Sequence, residues 1–239
     1  MVDLELDDGV AVVTIDRPHA RNAIAPATMG ELEDALDAAA GARALVIRGA
    51  GERAFVSGGD LKELAAIRTE DEALAMALRM RRICDRLADF PAPVIAALNG
   101  HALGGGAEVA VAADIRVAAD DVRIGFTQVK LAIMPAWGGA ERLAALVGRG
   151  RALLLAGAGT VLEATEAERI GLVDQVLPRA SFEPGWRALA RALATDAARE
   201  IKRVTVGDLP AEEAARAFAR LWVADEHWQA VEKVMRRGR

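Results

Sequence analysis

The sequence predicts an α/β fold with a parallel-rich sheet, followed by a helical C-terminal region. Three observations carry that expectation. Strand-like runs of β-branched and aliphatic residues alternate with amphipathic helical stretches as far as Ile124. From Gly138 onward nearly every segment has helical spacing. Two glycine-rich segments, Phe55-Val56-Ser57-Gly58-Gly59-Asp60-Leu61 and Gly100-His101-Ala102-Leu103-Gly104-Gly105-Gly106-Ala107-Glu108, each stand ahead of an expected helix start.

Residues 10–15 form a strand by their β-branched content, closed by Asp16-Arg17-Pro18. Residues 28–40 repeat Met29, Leu32 and Leu36 at helical spacing and stop at Gly41. A second buried strand covers 44–47, and a long amphipathic helix covers 70–87. Residues 90–107 carry no Asp, Glu, Lys or Arg, yet Pro91, Pro93, Asn99 and four glycines break any single membrane-spanning helix. A strand over 93–98, a turn and a helix from about Gly105 to Ala113 account for that stretch. Short strands follow at 115–117 and 122–124. Helices are expected at 140–147, 152–155, 163–170 and 184–193. A hinge at Gly207-Asp208-Leu209-Pro210 then leads to helices over 210–223 and 225–235. The expected division is a core over 1–190 and a helical region over 191–239.

A chain of 239 residues, 53% hydrophobic and 27% charged, buries a substantial core and is not disordered. Its net charge of −5 opposes binding to nucleic acid or to an anionic membrane. The single cysteine, Cys84, excludes a disulfide framework and lies among apolar neighbours, where it is inert. Three scattered histidines, His19, His101 and His227, suggest no metal site. The acidic start lacks the basic flank of a targeting peptide, so the expected location is cytoplasmic. Lys233, Arg236, Arg237 and Arg239 read as a solvated end.

Glycines ahead of a helix let a ligand approach the main chain, and the N–H groups of the first turn point outward as donors. Two such donors aimed at one point make an oxyanion hole, suited to negative charge on a carbonyl oxygen. Asp60 with Glu63 fits a capping box, which by itself is an ordinary turn. Glu108 in a first helical turn is favoured by the dipole alone. Trp137, in Pro135-Ala136-Trp137-Gly138-Gly139, suits core packing or a pocket wall. His101 suits polar lining.

These segments, in this order, resemble the enoyl-CoA hydratase/isomerase (crotonase) family. Asp16-Arg17-Pro18-His19-Ala20-Arg21-Asn22-Ala23 matches N-R-P-x-x-x-N-A except at its first place. Ser57 to Leu61 matches A-G-x-D-L, Gly100 to Glu108 matches G-x-x-x-G-G-G-x-E, and Pro135 to Leu143 matches P-x-x-G-G-x-x-R-L. Ala167 to Asp174 ends in the family's G-L-V-[DN]. The resemblance implies a spiral of ββα turns with a helical trimerisation region, assembled as a homotrimer or a dimer of trimers. It implies that the Gly59 and Gly105 N–H groups hold the carbonyl of a coenzyme A thioester, and that coenzyme A enters with the substrate, without a separate cofactor. Arg21, Ala23, Ser57, Leu61 and Lys62 fall where the family meets coenzyme A, and Asp60, Gly104, Pro135 and Trp137 complete the substrate-facing set.

One departure bears on the reaction. Hydratases of the family use two glutamates; the first matches Glu108, but the second position holds Gln128. An amide orients water yet cannot titrate, and losing a general acid costs about 10²–10⁴ in rate. Decarboxylation of a 2-alkylmalonyl thioester needs the oxyanion donors and one late proton, without a base. The Pro135-Ala136-Trp137-Gly138-Gly139 run and Leu221-Trp222 look like the ethylmalonyl-CoA decarboxylase branch. Enoyl-CoA hydration, with Glu108 positioning water, is the alternative. A non-catalytic acyl-CoA binder is a further one.

Overall fold

The computed structural model describes residues 1–207 and 209–237; Asp208 of the expected hinge and Arg239 of the basic end lie outside the described residues. Two sheets organise it. The larger has six strands in the order β1 (Val2–Asp7), β2 (Val10–Ile15), β3 (Ala44–Gly49), β5 (Val94–Leu98), β7 (Ile115–Ala119) and β10 (Gln175–Leu177). The smaller runs β4 (Ala54–Val56), β6 (His101–Leu103), β8 (Arg123–Gly125) and β9 (Val161–Glu163). All neighbours are parallel except β1 with β2 and β8 with β9.

The chain places one strand in the large sheet, crosses to the small one, and returns through a helix. β3 and β4 precede α2 (Glu70–Ala88), and β5 and β6 precede α3 (Gly105–Ala110). This is the spiral of ββα turns that the sequence resemblance implies. Every residue of β5 is buried, which is why that segment has no polar alternation. α1 (Pro26–Ala38) opens on Pro26, two residues before the predicted start, because proline suits the first helical position. Thr69 and Glu72 close a capping box on α2. Among the described residues no helix is long and apolar enough to cross a membrane.

The second half is helical as expected: α4 (Gly139–Val147), α5 (Arg149–Ala158), α6 (Ala164–Arg169), α7 (Arg179–Leu193), α8 (Asp196–Val206), α9 (Ala211–Trp222) and α10 (Asp225–Arg237). Two differences stand out. α7 begins five residues before the predicted Pro184, which sits inside it; burial of Phe182 and Trp186 outweighs the lost backbone bond. α8 was not anticipated, and neither were β1, β4, β6, β9 and β10.

Two buried asparagines tie the crossings between the sheets. Asn22 Nδ2 donates to the carbonyls of Ala50 (3.0 Å) and Ala54 (2.8 Å). Asn99 Oδ1 accepts from the Gly49 N–H at 2.9 Å, and its Nδ2 donates to the Gly51 carbonyl at 2.7 Å. These bonds hold the β3–β4 connection in place, and β4 leads straight into the first glycine segment.

Candidate active site

The first glycine segment is not the start of an α-helix. A turn follows Asp60, then a single 3₁₀ turn over Leu64–Ala66. Asp60 Oδ1 accepts from the N–H groups of Lys62 (3.2 Å) and Glu63 (3.4 Å), as a cap would. The expected reciprocal bond from Glu63 is replaced by an ion pair, because Arg17 Nη2 lies 2.7 Å from Glu63 and 3.0 Å from Asp60. Burial pulls the Asp60 carboxyl upward, but the Glu63 and Lys62 N–H groups and Arg17 outweigh it and leave it below the ordinary value of 3.8. Arg17, not singled out from the sequence, thus fastens the segment. Its side chain also donates to the Ala23 carbonyl at 2.6 Å.

The Gly59 donor is oriented by a short bridge. Ile24 N–H donates to the Gly58 carbonyl and Asp60 N–H to the Ile24 carbonyl, both at 2.8 Å. Those bonds straddle Gly59, so its own N–H points away from Ile24. Gly105 is the first residue of α3, where N–H groups have no partner within the helix. Among the described residues neither the Gly59 nor the Gly105 N–H has an acceptor. The two loops touch: a Cβ on Gly58 would lie 3.3 Å from the Gly105 nitrogen.

Glu108 lies one turn along α3 and is 2% exposed. Its Oε2 accepts from the N–H groups of Trp137 (2.7 Å) and Gly139 (3.0 Å), and its Oε1 from Gln128 Nε2 at 2.8 Å. Burial pushes the Glu108 carboxyl above the ordinary 4.5, against these donors. Close packing enforces the geometry, since a Cβ on Gly139 would fall 2.3 Å from Glu108 Cγ. Gln128 is buried, and among the described residues its Oε1 has no partner, an unsatisfied acceptor costing about 1–3 kcal/mol. Cys84 is fully buried with its thiol pushed up to about 12 by burial and by Glu108, in keeping with an inert thiol.

Trp137 joins the two halves of the site. Its backbone holds Glu108, while its ring lies on the glycines: a Cβ on Gly105 would sit 2.2 Å from Cζ3, and one on Gly59 would sit 4.0 Å from Cζ2. The Trp137 carbonyl accepts from Arg142 Nη1 at 3.2 Å, and Arg142 Nη2 pairs with Asp85 at 2.6 Å. Gly104, Pro135 and Trp137 are buried; Arg21, Leu61 and Lys62 are exposed, with Ser57 between. Arg21 and Ser57 line a cavity of about 540 Å³ with Arg53, His101 and Arg179. There His101 Nδ1 accepts from the Arg123 N–H at 3.1 Å, which ties that ring to the wall. A second hollow, about 760 Å³ between α2, α8 and α9, shares no residue with the glycine loops.

The arrangement brings together two unpaired N–H groups, one buried titratable carboxyl and one amide. The signals that could have revealed the missed residues are weak. Arg17 stands in a matched pattern, whereas the Gly139 N–H is a group every non-proline residue carries.

Comparison with known proteins identifies the family and the fold. The family model for enoyl-CoA hydratase/isomerase matches residues 5–219. A short-chain-enoyl-CoA hydratase of Clostridium acetobutylicum is 37% identical over 204 residues, covering 84% of this chain and 78% of that protein. The crystal structure of an enoyl-CoA hydratase from Bacillus anthracis superposes with a TM-score of 0.90 at 29% identity, over 99% of this chain and 96% of that one. One from Thermoplasma volcanium gives 0.85 at 32% identity, over 97% and 96%. With nearly its whole length matched in sequence and in fold, the chain belongs to the enoyl-CoA hydratase/isomerase family.

Proposed function

We propose that this enzyme stabilises the enolate of a coenzyme A thioester on the Gly59 and Gly105 N–H groups, and that its reaction is decarboxylation of a 2-alkylmalonyl-CoA. The observation that carries the reading is the 2.8 Å bond from Gln128 to Glu108, an amide where two-carboxylate chemistry would need an acid. In the proposed reaction the bond between the α-carbon and the carboxylate carbon breaks and CO2 leaves. Its electron pair becomes the enolate, whose oxygen meets the two donors; each such donor is worth about 2.7–4 kcal/mol. The α-carbon then takes one proton from Glu108, which solvent replaces. A neutral Gln128 also spares an anionic substrate the repulsion of a second carboxylate.

Hydration is the second reading, supported by the name of the Clostridium acetobutylicum relative and by the unpaired Gln128 Oε1, which can accept from a water beside Glu108. Incubation with methylmalonyl-CoA, ethylmalonyl-CoA and crotonyl-CoA separates the two. The proposed reaction releases CO2 from the alkylmalonyl thioesters and hydrates crotonyl-CoA slowly. Rapid hydration with no CO2 release would replace the first reading by the second.

A further inference from the structure

We propose that Trp137 sets the acyl-chain length, confining the enzyme to thioesters with short acyl groups. The proposal rests on the thioester reading above and names the substrate class within it. Any thioester whose oxygen meets the Gly59 and Gly105 N–H groups has its α-carbon one bond from that carbonyl carbon. For Glu108 to reach that carbon, the acyl group must lie between the glycine donors and the carboxylate. Trp137 borders that interval at both ends: its N–H is bonded to Glu108 Oε2 and its benzo ring rests on Gly105 and faces Gly59.

The ring cannot readily move aside. It is 7% exposed, and the backbone on either side is fixed by Glu108, by Arg142 and by the packing of Gly139 against Glu108. Retreat of this loop would break two bonds to a buried carboxylate. The indole is therefore a wall held by the same contacts that hold the proton donor. An acyl chain of a few carbons ends before it, whereas a longer one meets a packed aromatic face. Discrimination in apolar pockets arises from such volume conflicts.

The test uses full-length enzyme and the unreactive thioesters acetyl-, butyryl- and octanoyl-CoA, with affinities measured by calorimetry. Butyryl-CoA should bind the parent at least about tenfold more tightly than octanoyl-CoA. Trp137→Ala should bring the two affinities within about threefold of each other, chiefly by tightening octanoyl-CoA. Trp137→Phe, a smaller loss of volume, should give an intermediate ratio, and it decides the matter by the same ratio if the alanine variant fails to fold. A parent that binds butyryl- and octanoyl-CoA equally overturns the proposal, as does a ratio unchanged in the variants. Turnover of methylmalonyl-CoA and hexylmalonyl-CoA is the second arm. Length-selective binding without CO2 release from either counts against the reaction alone and leaves the role of Trp137 standing.

Discussion

Glu108 carries a thermodynamic signature that can be measured without substrate. Its carboxyl is raised above 4.5 by burial, so the folded state holds that proton more tightly than the unfolded chain does. The associated stability is present in full below pH 4.5 and is lost as pH rises through the elevated value. Glu108→Gln removes that loss. Its amide can keep the two backbone donors on oxygen and donate to Gln128 Oε1 once the Gln128 amide turns over. The variant should melt above the parent at pH 7, by about 2–4 °C for each kcal/mol regained, with the gap closing below pH 4.5. Gln128→Glu should act on reactivity instead. It restores a second titratable group, so crotonyl-CoA hydration should rise by about 10²-fold or more while CO2 release from alkylmalonyl thioesters falls. Gly105→Pro deletes a donor N–H but also drives a ring into Trp137; pairing it with Trp137→Ala isolates the lost donor, and activity should stay absent in the pair. At this scale the sequence was legible where spacing mattered: Glu108 and Gln128 were found by their places in matched segments. The Trp137 N–H and the Arg17 clamp were not, because hydrogen-bond direction and ion pairing are set by tertiary contacts.

Among the secondary elements, the long periodic ones other than α8 were readable, and most of the three-residue strands were not. β4, β6, β9 and β10 have three residues each, too few for alternation to register, whereas β8 falls on the short strand expected at 122–124; the smaller sheet that β4, β6, β8 and β9 form is what carries the chain toward both glycine loops. β1 does alternate, with Val2 and Leu4 packed against the core and acidic residues between, but its charge reads as an exposed start. α8 has a strongly amphipathic pattern, with Ala198 buried, and an ion pair fastens it to the larger sheet. Lys202 Nζ lies 2.7 Å from Asp114 Oδ2 and donates to the Ala92 carbonyl at 3.2 Å, at the foot of β5. Asp114 also accepts the Val94 N–H at 2.7 Å. Lys202→Met should cost about 3 kcal/mol in urea denaturation, the lower end for breaking a buried pair, since Asp114 keeps some exposure. Adding Asp114→Asn should recover part of that loss.

At the scale of the molecule, the C-terminal helices present an apolar face. Phe218, Trp222, Val223, Trp228, Val234 and Met235 are exposed, and Trp222 packs against Phe218, His227 and Trp228. Such a surface on α9 and α10 exceeds scattered apolar exposure and calls for a partner. The homotrimer or dimer of trimers expected from the sequence would cover it. Sedimentation velocity should show a three-chain species or its double, and Trp222→Glu with Trp228→Glu should shift it toward single chains. A monomeric parent would remove the expectation. The spiral itself was legible in outline from the alternation of strands and helices. The split into two sheets was not, since a crossing between them leaves no periodic mark in the chain.

The Asn99 clasp has a consequence for the lifetime of the protein. Asn99 precedes Gly100, the pairing in which an asparagine most readily loses its amide through attack by the following backbone nitrogen. In the native fold that amide is 2% exposed and engaged on both sides, which bars the attack. Each excursion to the unfolded chain removes the protection, and the resulting acid would face the Gly51 carbonyl on refolding. Heat-aged protein should therefore deamidate first at this dipeptide, visible by peptide mapping, and native protein stored cold should not.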